Sequence, residues 1–191
     1  MKIIAITLPK ALDEDLYLMQ TLLDKGIDTL HLRKPLADVS YCRMLLRKLT
    51  PHHRAKIIVH DYPELYNEFS LKGIHINKNV VALPEGYNGL KTRSCHSVEE
   101  VVKYKGEYDY LFLSPIFNSI SKPGYQSAFT HSELCHASAQ GIIDAKVIAL
   151  GGVTFDRISY LKELNFGGIA MMGGIYHIDA LHMIDEIDKY R

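Results

Sequence analysis

Eight short runs rich in aliphatic and β-branched residues recur along the chain, separated by stretches with helical spacing. That alternation leaves few folds open. The runs are Lys2–Ile6, Thr29–Leu32, Lys56–His60, Gly73–Ile76, Lys91–Ser94, Tyr108–Leu113, Lys146–Leu150 and Gly168–Met171. Several, such as Lys56-Ile57-Ile58-Val59-His60, are nearly continuous in apolar residues, as strands of a parallel sheet buried on both faces must be. Between them, Leu12–Lys25 sets Leu12, Leu16, Met19 and Leu23 on one helical side. Ser40–Leu49 repeats the pattern, with Ser40 as N-cap after Asp38, and Ser97-Val98-Glu99-Glu100 has the form of a capping box. Thr154–Leu164 and Asp179–Tyr190 complete the expected helices.

Eight such alternations suit either a (β/α)8 barrel or an open doubly wound sheet. The first strand runs into Thr7-Leu8-Pro9 rather than a GxGxxG turn, which favours the barrel. The expectation is therefore an α/β fold, a single TIM barrel spanning residues 1–191 as one domain. At 191 residues the chain is shorter than the ~250 typical of such barrels. The shortage falls on Asn77–Leu90, where Pro84, Gly86 and Gly89 leave no helical run, so the fourth helix is expected to be reduced or absent.

Charge excludes some functions. Lys plus Arg equals Asp plus Glu at 22 each, so no net field draws the chain to nucleic acid or an anionic membrane. No stretch reaches the ~20 apolar residues of a membrane span, and the apolar start is too short for a secretory signal. Cys42, Cys95 and Cys135 are odd in number and widely spaced, which reads as free thiols in a reducing, cytoplasmic setting.

In a barrel the working face lies at the carboxyl ends of the strands, and here those ends are polar. Alternation puts His31 and Arg33 on one face of the second strand, with Lys34 following; a solvated strand end is the plainer alternative. The third strand ends His60-Asp61 and the fourth holds His75. Three histidines and an aspartate at neighbouring strand ends suit zinc, although an inward histidine is more often a hydrogen-bonded core residue, and no metal is favoured. The fifth strand ends Ser94-Cys95-His96-Ser97. Ser94 and His96 share parity and His96 suits proton transfer, while Cys95 reads as a buried thiol rather than a nucleophile. The sixth strand leads to Ser119-Ile120-Ser121-Lys122, hydroxyls and an ammonium suited to phosphate oxygens. Gly151-Gly152 follows the seventh strand and Met172-Gly173 the eighth, where barrels frequently bind phosphate.

In order and spacing these motifs resemble the thiamin phosphate synthase superfamily, which includes a thiazole tautomerase branch, from about Ile3 to Ile175. Of the synthase pattern Gln-x-Arg-x-Lys, His31-Leu32-Arg33-Lys34-Pro35 keeps Arg33 in place. The Asn-Asp pair after strand three is His60-Asp61, and the aspartate that helps hold magnesium after strand four is Val80. Ser94, the Ser119/Ser121/Lys122 clamp, Gly151, Gly152, Met172 and Gly173 match. The half implied to bind thiazole phosphate looks intact and the pyrimidine diphosphate half altered. The resemblance thus implies thiazole tautomerase-like proton transfer, with His96 as the shuttle, His31 and Arg33 beside the substrate and no cofactor. The alternative it implies is thiamin phosphate synthase, joining hydroxymethylpyrimidine diphosphate to thiazole phosphate, with Mg2+ at Asp61. Further alternatives are a non-catalytic thiamin-pathway regulator and a phosphosugar isomerase on the same fold. In each thiamin-pathway reading the partner is a small phosphorylated thiazole; Lys34 and His60 join the expected ligand contacts, and a homodimer is an open option.

Overall fold

The computed structural model describes residues 1–78, 80, 82–118, 127–176, 187 and 189. Its strands are β1 (Lys2–Ile6), β2 (Thr29–Leu32), β3 (Ile57–Val59), β4 (Gly73–His75), β5 (Leu90–Cys95), β6 (Tyr110–Leu113), β7 (Val147–Leu150) and β8 (Gly168–Met171). They form a closed barrel in sequence order, β1 to β8, with helices between them. The fold is a (β/α)8 barrel, the one of the two expected folds that the missing GxGxxG turn favoured. The chain forms two compact units, Ala5–Thr92 and Met1–Ile4 with Arg93–Arg191.

Within the first unit β2, β3 and β4 pair in parallel, Leu30 opposite Ile57 and Ile58 opposite Gly73. All residues of β2 and β3 are buried whichever face they take. A sheet filled inside and covered by helices outside explains why these strands read as unbroken apolar runs. In the second unit β6, β7 and β8 do the same, Leu111 opposite Val147 and Ile148 opposite Gly168.

The covering helices are α1 (Asp15–Asp24), α2 (Val39–Arg47), α3 (Pro51–Arg54), α4 (Leu65–Phe69), α5 (Val98–Tyr104), α6 (His131–Ala139), α7 (Ile158–Glu163) and α8 (Gly173–Tyr176). Among the described residues between β4 and β5 no helix forms, as Pro84, Gly86 and Gly89 implied. Helix α2 starts one residue before Ser40 because Asp38 is its cap: the extended Asp38 accepts from the Tyr41 N–H, while Ser40 sits inside the first turn and donates to Asp38. The Ser97 cap forms as its sequence suggests, accepting from the Glu100 N–H. Helix α6 is absent from the sequence-based set, although Thr130 and Glu133 build a full capping box at its start. The expected Asp179–Tyr190 helix lies almost wholly outside the described residues.

Candidate functional site

In the unit Ala5–Thr92, the carboxyl ends of β2, β3 and β4 bring three imidazoles together. His31 is the third residue of β2, His60 follows β3 directly, and His75 ends β4. All three are buried. His31 Nδ1 and His60 Nε2 lie 2.8 Å apart, one nitrogen donating to the other. The His60 and His75 rings stack at 4.1 Å, and His75 Nδ1 lies 2.8 Å from the Thr92 hydroxyl. Burial drives the pKa values of His31 and His60 well below the usual histidine value. The electrostatic influence of His75 pushes both the same way, joined by Lys72 at His31 and by His31 and Arg33 at His60. At neutral pH these two rings are therefore neutral and keep a lone pair each.

Arg33, half-buried, has its backbone N–H and C=O clasped by the Thr7 hydroxyl at 2.9 and 3.0 Å. Lys34 goes elsewhere than expected. Its side chain is fully enclosed, with Nζ 2.6 Å from Asp15 Oδ2 and 2.9 Å from the Lys10 carbonyl. The same Asp15 oxygen accepts from Tyr41 Oη at 2.8 Å and from the Leu12 N–H at 2.9 Å. In this arrangement the ammonium is engaged by Asp15 and the Lys10 carbonyl inside the unit. Asp61 is half-buried, and its charge helps hold up the nearby Cys42 thiol. Val80 closes a turn through its N–H to the Asn77 carbonyl, and its half-buried side chain is alkyl.

In the other unit, His96 sits between β5 and α5 and is exposed. The Glu100 carboxylate accepts from the His96 backbone N–H at 2.7 Å, so the first turn of α5 fixes the residue before its own cap. His96 Nδ1 lies 3.0 Å from the Ser114 carbonyl, which accepts from it. That contact sets the tautomer: Nδ1 carries the proton and Nε2 the lone pair, the arrangement of a general base. The ring forms one end of a cleft of about 530 Å³ lined by Val98, Val102, Phe129 and Ala137. Cys95, beside it, is fully buried and its thiol is pushed up to about 11 by burial and by the Glu100 charge. It has no nucleophilic character at neutral pH.

Gly151 and Gly152 both adopt left-handed backbone, φ +90° and +64°. They lie flat against the segment after β6: a Cβ on Gly151 would sit 2.8 Å from Pro115 Cα, and one on Gly152 2.3 Å from the Asn118 carbonyl oxygen. The Ile116 and Phe117 N–H groups donate to the Leu150 and Gly151 carbonyls, zipping the two loops together. Glycine is thus demanded here by backbone meeting backbone, a reason the phosphate reading did not include. Met172 precedes Gly173, the first residue of the short α8. Ser94 is half-buried on β5, and Ser119, Ser121 and Lys122 lie outside the described residues.

The thiols give a direct check on this packing. Cys42 is pushed to about 12 and Cys95 to about 11, both buried, whereas Cys135 is half-exposed on α6. Titration of the native protein with a thiol-reactive disulfide at pH 8 is expected to modify Cys135 quickly and the other two at least about a hundredfold more slowly, released together on unfolding. Mass mapping of a second fast site to Cys95 would refute the packing around β5.

The sequence of this barrel matches the thiamine monophosphate synthase family over residues 3–175. The chain belongs to that family. The crystal structure of thiamine phosphate pyrophosphorylase from Bacteroides thetaiotaomicron superposes with a TM-score of 0.87 at 35% identity, covering 99% of this chain and 96% of that one. The thiamine-phosphate synthase of Clostridioides difficile (strain 630) is 25% identical over 181 residues, 90% of this chain and 84% of its own. Thiamine phosphate pyrophosphorylase from Pyrococcus furiosus shares the fold, with a TM-score of 0.73 at 19% identity.

Within the thiamine monophosphate synthase family the resemblance implies magnesium, and this chain's donors fit it poorly. Magnesium demands hard oxygen ligands. Asp61 is one carboxylate; at the second position the resemblance implies, Val80 offers an alkyl group. Among the described residues, the grouping of His, Cys, Asp and Glu that brings ligand atoms together is His31, His60 and His75, which offers nitrogen and no carboxylate.

Proposed function

We propose that this protein joins hydroxymethylpyrimidine diphosphate to thiazole phosphate, releasing pyrophosphate. The observation that carries the reading is the 35% identity to a thiamine phosphate pyrophosphorylase across nearly the full length of both chains. Arg33, held by Thr7 through its backbone, supplies fixed positive charge for the diphosphate leaving group in its unit. In the other unit, the tight turn at Gly151-Gly152 would receive the thiazole phosphate, with Ser94, Ser119, Ser121 and Lys122 as the further contacts the family motif implies.

A second reading has a specific observation behind it. Val80 replaces a metal carboxylate, and His96 is set up through the Ser114 carbonyl as a proton acceptor. Tautomerase-type proton transfer on a carboxythiazole phosphate needs that base and no metal. Regulation without turnover is the remaining outcome of the test.

Incubation of the purified protein with both phosphorylated substrates and magnesium should yield thiamin phosphate and pyrophosphate one to one. Isomerisation of the carboxythiazole tautomer without coupling would replace this reading by the second, and tight binding without either reaction would make the protein a sensor. Val80→Asp is expected to lower the magnesium concentration needed for half-maximal coupling by roughly tenfold. An unchanged magnesium requirement would dissociate residue 80 from the metal altogether.

A further inference from the structure

Three histidines on three adjacent parallel strands converge in the interior of one unit, and the mismatch with magnesium bears directly on them. A nitrogen of each lies within 4.8 Å of a nitrogen of each of the others. We infer that His31, His60 and His75 form a binding site for a borderline divalent transition metal ion, zinc or its analogues cobalt and nickel, with a fourth position left for water or a substrate oxygen. The inference stands apart from the choice between coupling and tautomerisation.

The chemistry of the donors points to this class of ion. Imidazole suits zinc, cobalt and nickel, whereas magnesium and calcium require oxygen. Three protein ligands and one open position is the pattern of reactive rather than closed zinc sites. The arrangement also has the supporting contact such sites use. His75 Nδ1 is engaged by the Thr92 hydroxyl at 2.8 Å, which leaves Nε2 as the nitrogen for the ion; with Nδ1 protonated and donating to that hydroxyl, the contact would orient the ring. The strands carry the ligands rigidly: His31 is placed by the pairing of β2 with β3, and His75 by the pairing of β4 with β5.

The geometry tells what must move. Two nitrogens each 2.0–2.1 Å from one tetrahedral ion stand about 3.3 Å apart. The His31–His60 pair, now 2.8 Å apart and sharing one proton, would open by about half an ångström. The ring that donates would shift its proton to its other nitrogen, a change of tautomer with no net loss of charge. The His60 and His75 rings, stacked at 4.1 Å with planes 18° apart, would have to unstack so that the in-plane lone pair of each points at the ion. Two cations oppose binding, Arg33 beside His60 and Lys72 toward His31. Lys72 is tied down by the Thr29 hydroxyl and the Asp28 carbonyl, at the amino end of β2. The competing state is a metal-free, hydrogen-bonded cluster of the same three rings.

Cobalt(II) distinguishes the two states spectroscopically in the intact chain. The background should be the His131→Ala/Cys135→Ser variant, because His131 Nε2 and Cys135 Sγ lie 3.4 Å apart on α6 and form a competing pair of ligands. Chelator-treated protein titrated with cobalt is expected to take up one equivalent. It should develop the intense visible bands of a four- or five-coordinate site, bleached by one equivalent of zinc. His60→Ala and His75→Ala should each weaken binding at least a hundredfold. His75→Gln, which conserves a polar side chain of similar reach, tests the same point if an alanine variant fails to fold by circular dichroism. Histidine scattering in the zinc X-ray absorption spectrum of the background protein, expected to count three imidazoles, needs no substitution at the cluster. Weak octahedral cobalt bands, or tight binding retained in folded His75→Gln, would overturn the site and leave the hydrogen-bonded cluster in its place.

Discussion

Asp15→Asn is expected to lower the unfolding free energy by about 3–5 kcal/mol, the usual cost of leaving one member of a buried ion pair alone. Asp15 and Lys34 have no exposed side-chain surface, and their charged atoms are 2.6 Å apart. One carboxylate oxygen collects the Lys34 ammonium, the Tyr41 hydroxyl and the Leu12 N–H. Those donors come from the end of β2, from α2 and from the segment leading into α1, so the loss would be felt across the first unit. Burial already pulls the Lys34 ammonium below its ordinary pKa despite Asp15, and holds the Tyr41 hydroxyl up at about 12. With the carboxylate gone, no paired opposite charge offsets the desolvation of the ammonium, which keeps the Lys10 carbonyl as an acceptor. Urea denaturation followed by circular dichroism measures the effect. The paired substitution Asp15→Leu/Lys34→Met should recover most of the loss, because removing both charges removes the desolvation cost with them. A single variant within 1 kcal/mol of the parent protein would mean that water reaches Lys34.

That pair also marks where sequence stops being informative. The strands were legible because burial on both faces writes itself as continuous apolar residues; β1, β2 and β8 fall where their runs do. Lys34, by contrast, reads as a solvated or ligand-binding strand end, and a partner nineteen residues earlier leaves no local trace. Helix α6 buries little more than Leu134 and Ala137, so its apolar period is faint, although Thr130 and Glu133 announced its start. Asp38 was preferred to Ser40 as a cap because its backbone is extended where the helix begins.

The candidate site shows the same division. Parity placed His31 and Arg33 on one face of β2, but only inter-strand register reveals that His31 meets His60 and His75 in the interior. His75 was legible as one of three histidines at neighbouring strand ends, but not its stacking on His60. Placing Val80 where the family motif has an aspartate came from the resemblance alone, since it concerns residue type rather than tertiary position. Gly151-Gly152 was found by its sequence but for an incomplete reason: the close approach of residues 115–118 is a tertiary fact.

Gly152→Ala turns that last point into a measurement, with an expected destabilisation of about 2–5 kcal/mol. Two costs add. A left-handed backbone at φ +64° disfavours any Cβ by roughly 1–2 kcal/mol. The new methyl would also stand 2.3 Å from the Asn118 carbonyl oxygen and 2.8 Å from Phe117 Cβ, an overlap relieved only by moving backbone, at about 1–3 kcal/mol. The shift must propagate, because Phe117 is hydrogen-bonded to the Gly151 carbonyl and Ile116 to that of Leu150. Residues 115–118 after β6 would be displaced, and with them the Gly151-Gly152 turn proposed to receive the thiazole phosphate. Thermal unfolding should therefore report the loss of stability, and calorimetric titration with thiazole phosphate a weaker affinity in protein that is still folded. Gly106→Ala is the matched control, since a methyl there meets no atom within 4 Å. If Gly152→Ala proved as stable as that control, the close packing of the β6 and β7 loops would be wrong. If it were destabilised but bound thiazole phosphate undiminished, the ligand would have to be held without this turn.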